Sequence, residues 1–377
     1  MLKSTYIDPS FSSATRLEFK IPSAGEVIVS KSLEVTNFGV ASVVGNPALL
    51  KNGGIYNFVK HAYLYSGNIE LEAIRDANVI VSDTMLLGDS DYEESVSAAQ
   101  TMKTVTASFL AIAGANTLQL NPPPVLQAHG NLKLADIFPL LKSLPFLINF
   151  KDLRVVLELH TVIADLFKAP VPNAYTLLSP VLKFESDDDE VSKSKLIADP
   201  MSYGNVAWQT IYNEIRTIPN TVTSASYKLR GFTEKVVNDI IVQVIPTANP
   251  SDATLGFGYS QRIAGEVQQL TVNNKKLLPL NGLDTDAKKL MSMEAYKLMG
   301  YYGTAMPRGT GFATFGNAAN ALFDRMSFGR FEIKDRVNDL QFDYAVGAGA
   351  AYTLRFIGSC QKYLSRDKEG NVLLVGF

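Results

Sequence analysis

Apolar and polar residues alternate with period two through much of the chain, and that alternation predicts β-strands. In Leu17-Glu18-Phe19-Lys20-Ile21 it places Leu17, Phe19 and Ile21 on one face of a half-buried strand, punctuated by Pro22 and Gly25. Arg154–His160, Asp239–Ile245 and Val267–Val272 have strand length and the β-branched, aliphatic composition that a sheet accommodates. The cleanest alternation comes near the C-terminus, as Leu340/Phe342/Tyr344/Val346 and then Tyr352/Leu354/Phe356. With Gly347-Ala348-Gly349 between them as a turn or bulge, these two runs predict an antiparallel hairpin.

Helical signals are few. Asp89–Glu94 places acidic residues ahead of Val96 and Met102, and Asp284-Thr285-Asp286 precedes Leu290, Met293, Tyr296 and Leu298 at roughly helical spacing. Each predicts a short helical insertion between strands. Loops rich in Gly, Pro and Asn, such as Asn121–Pro124 and Pro170–Asn173, join the rest. The pattern favours an antiparallel sandwich over a parallel α/β sheet.

The acidic run Glu185–Glu190 leads into Ser192-Lys193-Ser194-Lys195 near the midpoint of the 377 residues. It predicts a solvated linker, since the central Gly and distal Glu of a Ca²⁺ loop are missing. The chain then divides into two halves, each with strands enough for an eight-stranded sandwich. Met1–Ala14 is Ser-rich with no apolar periodicity, so it is expected to order only against a neighbour. The apolar tail Val372–Phe377 is expected to bury Leu373, Val375 and Phe377 on its own or a neighbouring subunit.

Composition narrows the function. Charged residues make up 19% against the usual quarter or so, and hydrophobic ones 46%, a balance that points to a surface that finds partners. A net charge of −2 without a long Lys/Arg cluster argues against wrapping nucleic acid. Cys360 is the only cysteine, which excludes an intrachain disulfide and a Cys-rich zinc site and suits the cell interior. Met1–Phe19 has no charged stretch followed by an apolar core, so no secretory signal is expected. The most apolar stretches, Phe109–Ala115 and Ile137–Phe150, fall short of the roughly 18–20 residues a membrane span requires.

Catalytic candidates fail one by one. His61, His129 and His160 share no metal-ligand spacing, and Cys360 ends a strand pattern with no nucleophile motif around it. Gly309–Gly316 lacks the Gly-Lys-Ser/Thr of a P-loop, and Gly347-Ala348-Gly349 precedes a strand where a phosphate site needs a helix. No catalytic, cofactor-binding or metal-binding residue is therefore assigned, and no enzyme activity is expected. Aromatics in loop-like segments, among them Tyr301, Tyr302, Phe312, Phe315, Phe323 and Phe328, suit either an interface or a satellite core.

Several segments resemble the double jelly-roll major capsid proteins of tailless icosahedral double-stranded DNA viruses, in particular the polinton-like and virophage branch. In the first half these are Leu132–Leu141, Phe146–Phe150 and the strand Arg154–His160; in the second, Tyr227–Phe232, Ile240–Pro246 and Glu266–Gly282. Asn274 stands where the family usually has a turn Gly, and Asn is the next best residue for a left-handed position. The resemblance implies an all-β fold of two tandem eight-stranded jelly rolls with short helical insertions: an N-terminal arm over 1–15, a first jelly roll over 16–190 and a second over 191–377. It implies a virion shell protein, assembled inside the host cell. Such a protein forms homotrimers with a pseudo-hexagonal footprint and packs against neighbouring capsomers, penton and minor capsid proteins, with a membrane beneath the shell compatible. The alternatives are a minor capsid or spike protein and a two-sandwich carbohydrate-binding module. A metal-dependent jelly-roll enzyme would need clustered His that the chain lacks.

Overall fold

The structure is a computed structural model. It describes residues 2–21, 27–42, 54–81, 127–148, 150–167, 175–177, 179–198, 205–248, 257, 260–261, 263, 265–278, 282–285, 288, 329–347, 349, 351–367 and 371–377. The insertion at 89–94, most of that following Asp284, the loop aromatics at 301–328 and Gly309–Gly316 lie outside these. The described residues form two compact units, one comprising Met1–Ser82, Glu94–Thr210 and Lys362–Gly376, the other chiefly Ile211–Gln361.

The first unit contains β1 (Leu2–Ile7), β2 (Phe11–Ser12), β3 (Arg16–Ile21), β4 (Val27–Val29), β5 (Glu34–Ser42), β6 (Val59–Ser66), β7 (Ile69–Arg75), β8 (Gln127–Lys133), β9 (Phe146–Ile148), β10 (Leu153–Leu159), β11 (Tyr175–Leu177) and β12 (Val181–Asp187). One sheet runs β2-β3-β10-β6-β7, and the other is built on β11-β5-β12-β4-β9 with β1 on β12 and β8 on β5. Every pairing among its described strands is antiparallel, as the pattern predicts. Leu17, Phe19 and Ile21 are buried on one face of β3, and Phe38, Phe58, Phe138, Phe150 and Phe184 are among the large side chains buried in this unit.

Short helices interrupt the strands. The apolar run after β8 forms α1 (Leu134–Ile137) and α2 (Pro139–Ser143), broken at Phe138, whose extended backbone is what a residue preceding proline adopts. A third, α3, spans Ile163–Leu166. The acidic run is not the expected linker. Glu185–Asp187 complete β12 and Glu190 begins α4 (Glu190–Ala198), so only Asp188 and Asp189 lie between them. Asp189 accepts the backbone N–H groups of Val191 and Ser192, so an acidic cap starts a helix where the charge run reads as solvated chain.

The N-terminus also departs from expectation. Instead of waiting for a neighbour, Leu2–Ile7 pairs along its whole length with β12, from Leu2 opposite Asp187 to Ile7 opposite Leu182. Short-range periodicity carries no trace of this, because the partner lies far along the chain.

The second unit takes β13 (Val206–Ile218), of which Val206–Thr210 belongs to the first unit, then β14 (Ser224–Lys228), β15 (Val236–Pro246), β16 (Val267–Val272), β17 (Lys275–Lys276), β18 (Gly329–Arg336), β19 (Leu340–Ala345) and β20 (Tyr352–Arg366). One sheet runs β13-β20-β15-β18 and the other β14-β19-β16-β17. Strand β21 (Val372–Gly376) pairs with the end of β20 from Tyr363 to Arg366, all within the first unit.

The expected hairpin of β19 and β20 does not form. Strand β19 is flanked by β14 and β16, and β20 by β13 and β15, in different sheets. Their apolar faces meet across the core, with the Phe342 and Phe356 rings 4.8 Å apart and edge-on. Alternation is satisfied equally by strands side by side and by strands facing one another, so period two does not decide between them. The chain changes sheets past Gly349, where a Cβ would collide with the Asn220 carbonyl oxygen.

Candidate functional site

His61 and His160 make separate local contacts. His61 accepts the Asp76 N–H at Nδ1 (3.0 Å), and burial holds its pKa below the usual value. His160, just past β10, bonds Asp165 through Nε2 at 3.1 Å. The side chain of His129 lies outside the described residues. Among the described residues, no three His, Cys, Asp or Glu side chains group as metal ligands. No described helix is long and apolar enough to cross a membrane.

A cluster that the sequence reading missed lies inside the first unit. Glu72 on β7 is fully buried on the face that carries Ile74 and faces Leu64 of β6. Its Oε1 accepts the Trp208 indole N–H (2.9 Å) and the Thr210 hydroxyl (2.9 Å), while Oε2 accepts the Leu140 N–H of α2 (3.1 Å). The ammonium of Lys362 donates to the neighbouring Leu71 carbonyl at 2.7 Å and lies 6.0 Å from the Trp208 ring centre. Burial pushes the Glu72 carboxyl up to about 7, against the opposing pull of the three donors and Lys362. The available signal is parity: Glu72 sits two residues from Ile74, on the strand's apolar face.

A second group of features is superficial. On β1, Leu2 and Tyr6 are 55% and 62% exposed, and Phe11 on β2 is 51% exposed. Strand β1 edges one sheet of the first unit and β2 the other. Leu373 on β21 is 63% exposed, so it is not packed within the chain. Phe377, by contrast, sits edge-on to Tyr212 with the Lys235 ammonium 4.4 Å from its ring centre. Apolar side chains beside unpaired strand edges suit contact with another polypeptide better than chemistry on a small molecule.

No protein family matches the sequence, and the search of curated proteins finds no relative. Solved structures do match along the whole chain. A chain of the Sputnik virophage matches with a TM-score of 0.62 at 10% identity, covering 100% of this chain and 88% of that one. The Faustovirus major capsid protein matches at 0.54 and 7%, over 96% and 90%. The mavirus major capsid protein matches at 0.50 and 11%, over 99% and 90%. The fold is a double jelly roll.

Within the double jelly roll, the segments Leu132–Leu141 and Glu266–Gly282 have clear local tasks. Leu134, Ile137, Phe138, Leu140 and Leu141 bury the α1–α2 passage. The turn from β16 to β17 is Asn273-Asn274, with φ of 50° and 64°, both left-handed as a two-residue hairpin requires. Asn273 does more than tolerate that backbone. Its Oδ1 accepts the N–H groups of Asn338 and Asp339 and its Nδ2 donates to the Arg336 carbonyl, fastening the turn to the loop between β18 and β19. A glycine would supply the φ but not the three bonds.

Proposed function

We propose that this chain is the major capsid protein of an icosahedral virus, with a structural role and no catalytic step. Three copies form a homotrimeric capsomer of six sandwiches, and capsomers tile the virion shell with penton and minor capsid proteins. The reading is compatible with a membrane beneath the shell and includes no sequence-specific contact with nucleic acid. It takes the handover from first to second jelly roll to lie between Glu190 and Ile211.

The observation that carries this reading is the extent of the structural match. A match that spans 96% of this chain and 90% of the Faustovirus major capsid protein supports more than a single shared sandwich would. The surface supports it too. A closed three-fold ring needs a heterologous contact that buries roughly 2,000 Å² or more, and exposed apolar side chains at sheet edges suit such burial. A net charge of −2 puts little long-range repulsion between identical copies.

The test is the mass and shape of the purified protein. Light scattering should report about three times the 41.2 kDa chain mass, and negative-stain micrographs should show six-lobed particles. A protein that stays monomeric at every accessible concentration overturns the proposal.

A further inference from the structure

On the second unit, strands β14, β19 and β16 lie side by side, and the face opposite Phe342, Tyr344 and Leu270 carries two cross-strand rows, Ser224–Ala345–Val267 and Ser226–Asp343–Gln269. These residues line an open groove of about 390 Å³. The Asp343 Oδ1 accepts from the Gln341 amide at 3.0 Å, and among the described residues no donor or cation meets its Oδ2. The Ser224 and Ser226 hydroxyls are likewise without partners among the described residues. Gln269 is only 6% exposed, and its Nε2 donates to the Leu278 carbonyl at 3.1 Å, which leaves Oε1 a buried acceptor with no donor. Lys228, the cation that β14 carries on this face, is engaged by Asp339 at 3.3 Å. The groove is rich in acceptors and short of a donor, and buried acceptors in that condition are costly.

We propose that this groove receives a lysine side chain from a second copy of the chain, with Asp343 as its counter-ion. Directly opposed side chains in a sheet have Cβ atoms about 5 Å apart, so Ser226 and Asp343 reach the same small cation. One free carboxylate oxygen beside hydroxyls offers single-point contacts, which match the three donors of an ammonium. A guanidinium fork needs both carboxylate oxygens, and Oδ1 is taken. Val267 and Ala345 supply an apolar wall for the four-carbon stem. Suitable cations are on display: Lys3, Lys20 and Lys31 are exposed and outside every ion pair among the described residues. A ring closed by a three-fold axis joins two different patches of the same chain, as a carboxylate on one and a lysine on the other require. The inference rests on the homotrimer reading and assigns one contact of its interface.

Zero-length carbodiimide coupling tests it on the unaltered chain. In trimers assembled from equal parts of light and heavy-isotope-labelled protein, mass spectrometry should find the Asp343 peptide joined by an amide to a lysine peptide, half of the pairs light with heavy. Asp343→Asn keeps the size of the side chain and an acceptor for Gln341. It should weaken trimer association about tenfold or more in sedimentation equilibrium and flatten its dependence on salt. An Asp343 amide to a lysine of the same copy overturns the proposal. So does coupling of Asp343 to a free amine as readily in the trimer as in the unfolded chain, or an Asp343→Asn protein that associates as tightly as the unaltered one. Each of these outcomes leaves the trimer standing. A chain that never associates overturns the capsid reading and this contact together. If Asp343→Asn does not fold, the cross-link decides alone.

Discussion

Cys360 lies fully buried within β20, and that burial pushes its thiol up to about 12. Native protein should therefore resist maleimide at pH 7.5 and react fully once unfolded in guanidinium; rapid native labelling would contradict the packing. Arg330 on β18 and Asp239 on β15 make a buried pair at 3.3 Å, with side chains 4% and 5% exposed. Arg330→Met should cost about 3–5 kcal/mol in denaturant unfolding, and adding Asp239→Leu should recover much of it. Inward aliphatic and aromatic residues such as Leu17, Phe342 and Phe356 are legible from alternation alone. Buried acids are not, and Glu72 and Asp239 share the reason. Each directly follows a bulge, at Leu71 and at Asn238, where the pairing register shifts. A bulge breaks the two-residue count with the residues before it, so the side of the sheet these acids take is readable only from the residues that follow, Ile74 for Glu72 and Ile241 for Asp239.

Elements were legible where they are local. The strands at 16–21, 153–159, 236–246 and 267–272 stand close to where composition and alternation place them. Partnership was not, because one strand's pattern says which face is apolar and nothing about which strand lies beside it. The N-terminal strand is the sharpest case: Leu2 meets Asp187. Deleting residues 2–7 should strip the pairing from one edge of β12 and leave a row of unpaired backbone groups. We expect a lowered melting temperature by circular dichroism and concentration-dependent light scattering. A variant as stable and as soluble as the full chain would mean that β1 adds little to the sheet.

At the scale of the whole molecule, the two-sandwich architecture was legible from strand count and loop composition, whereas the route of the chain between sandwiches was not. No local signal announces that β20, after pairing with β15, ends in the first unit, or that β21 joins it there. That return sets an order on biosynthesis. A ribosome makes Glu72 and most of the first sandwich early, yet Lys362 and the strand that pairs at Tyr363–Arg366 emerge only after the second sandwich has been translated. A nascent chain thus carries an unfinished first sandwich until its late segments are out, and a truncated one never completes it.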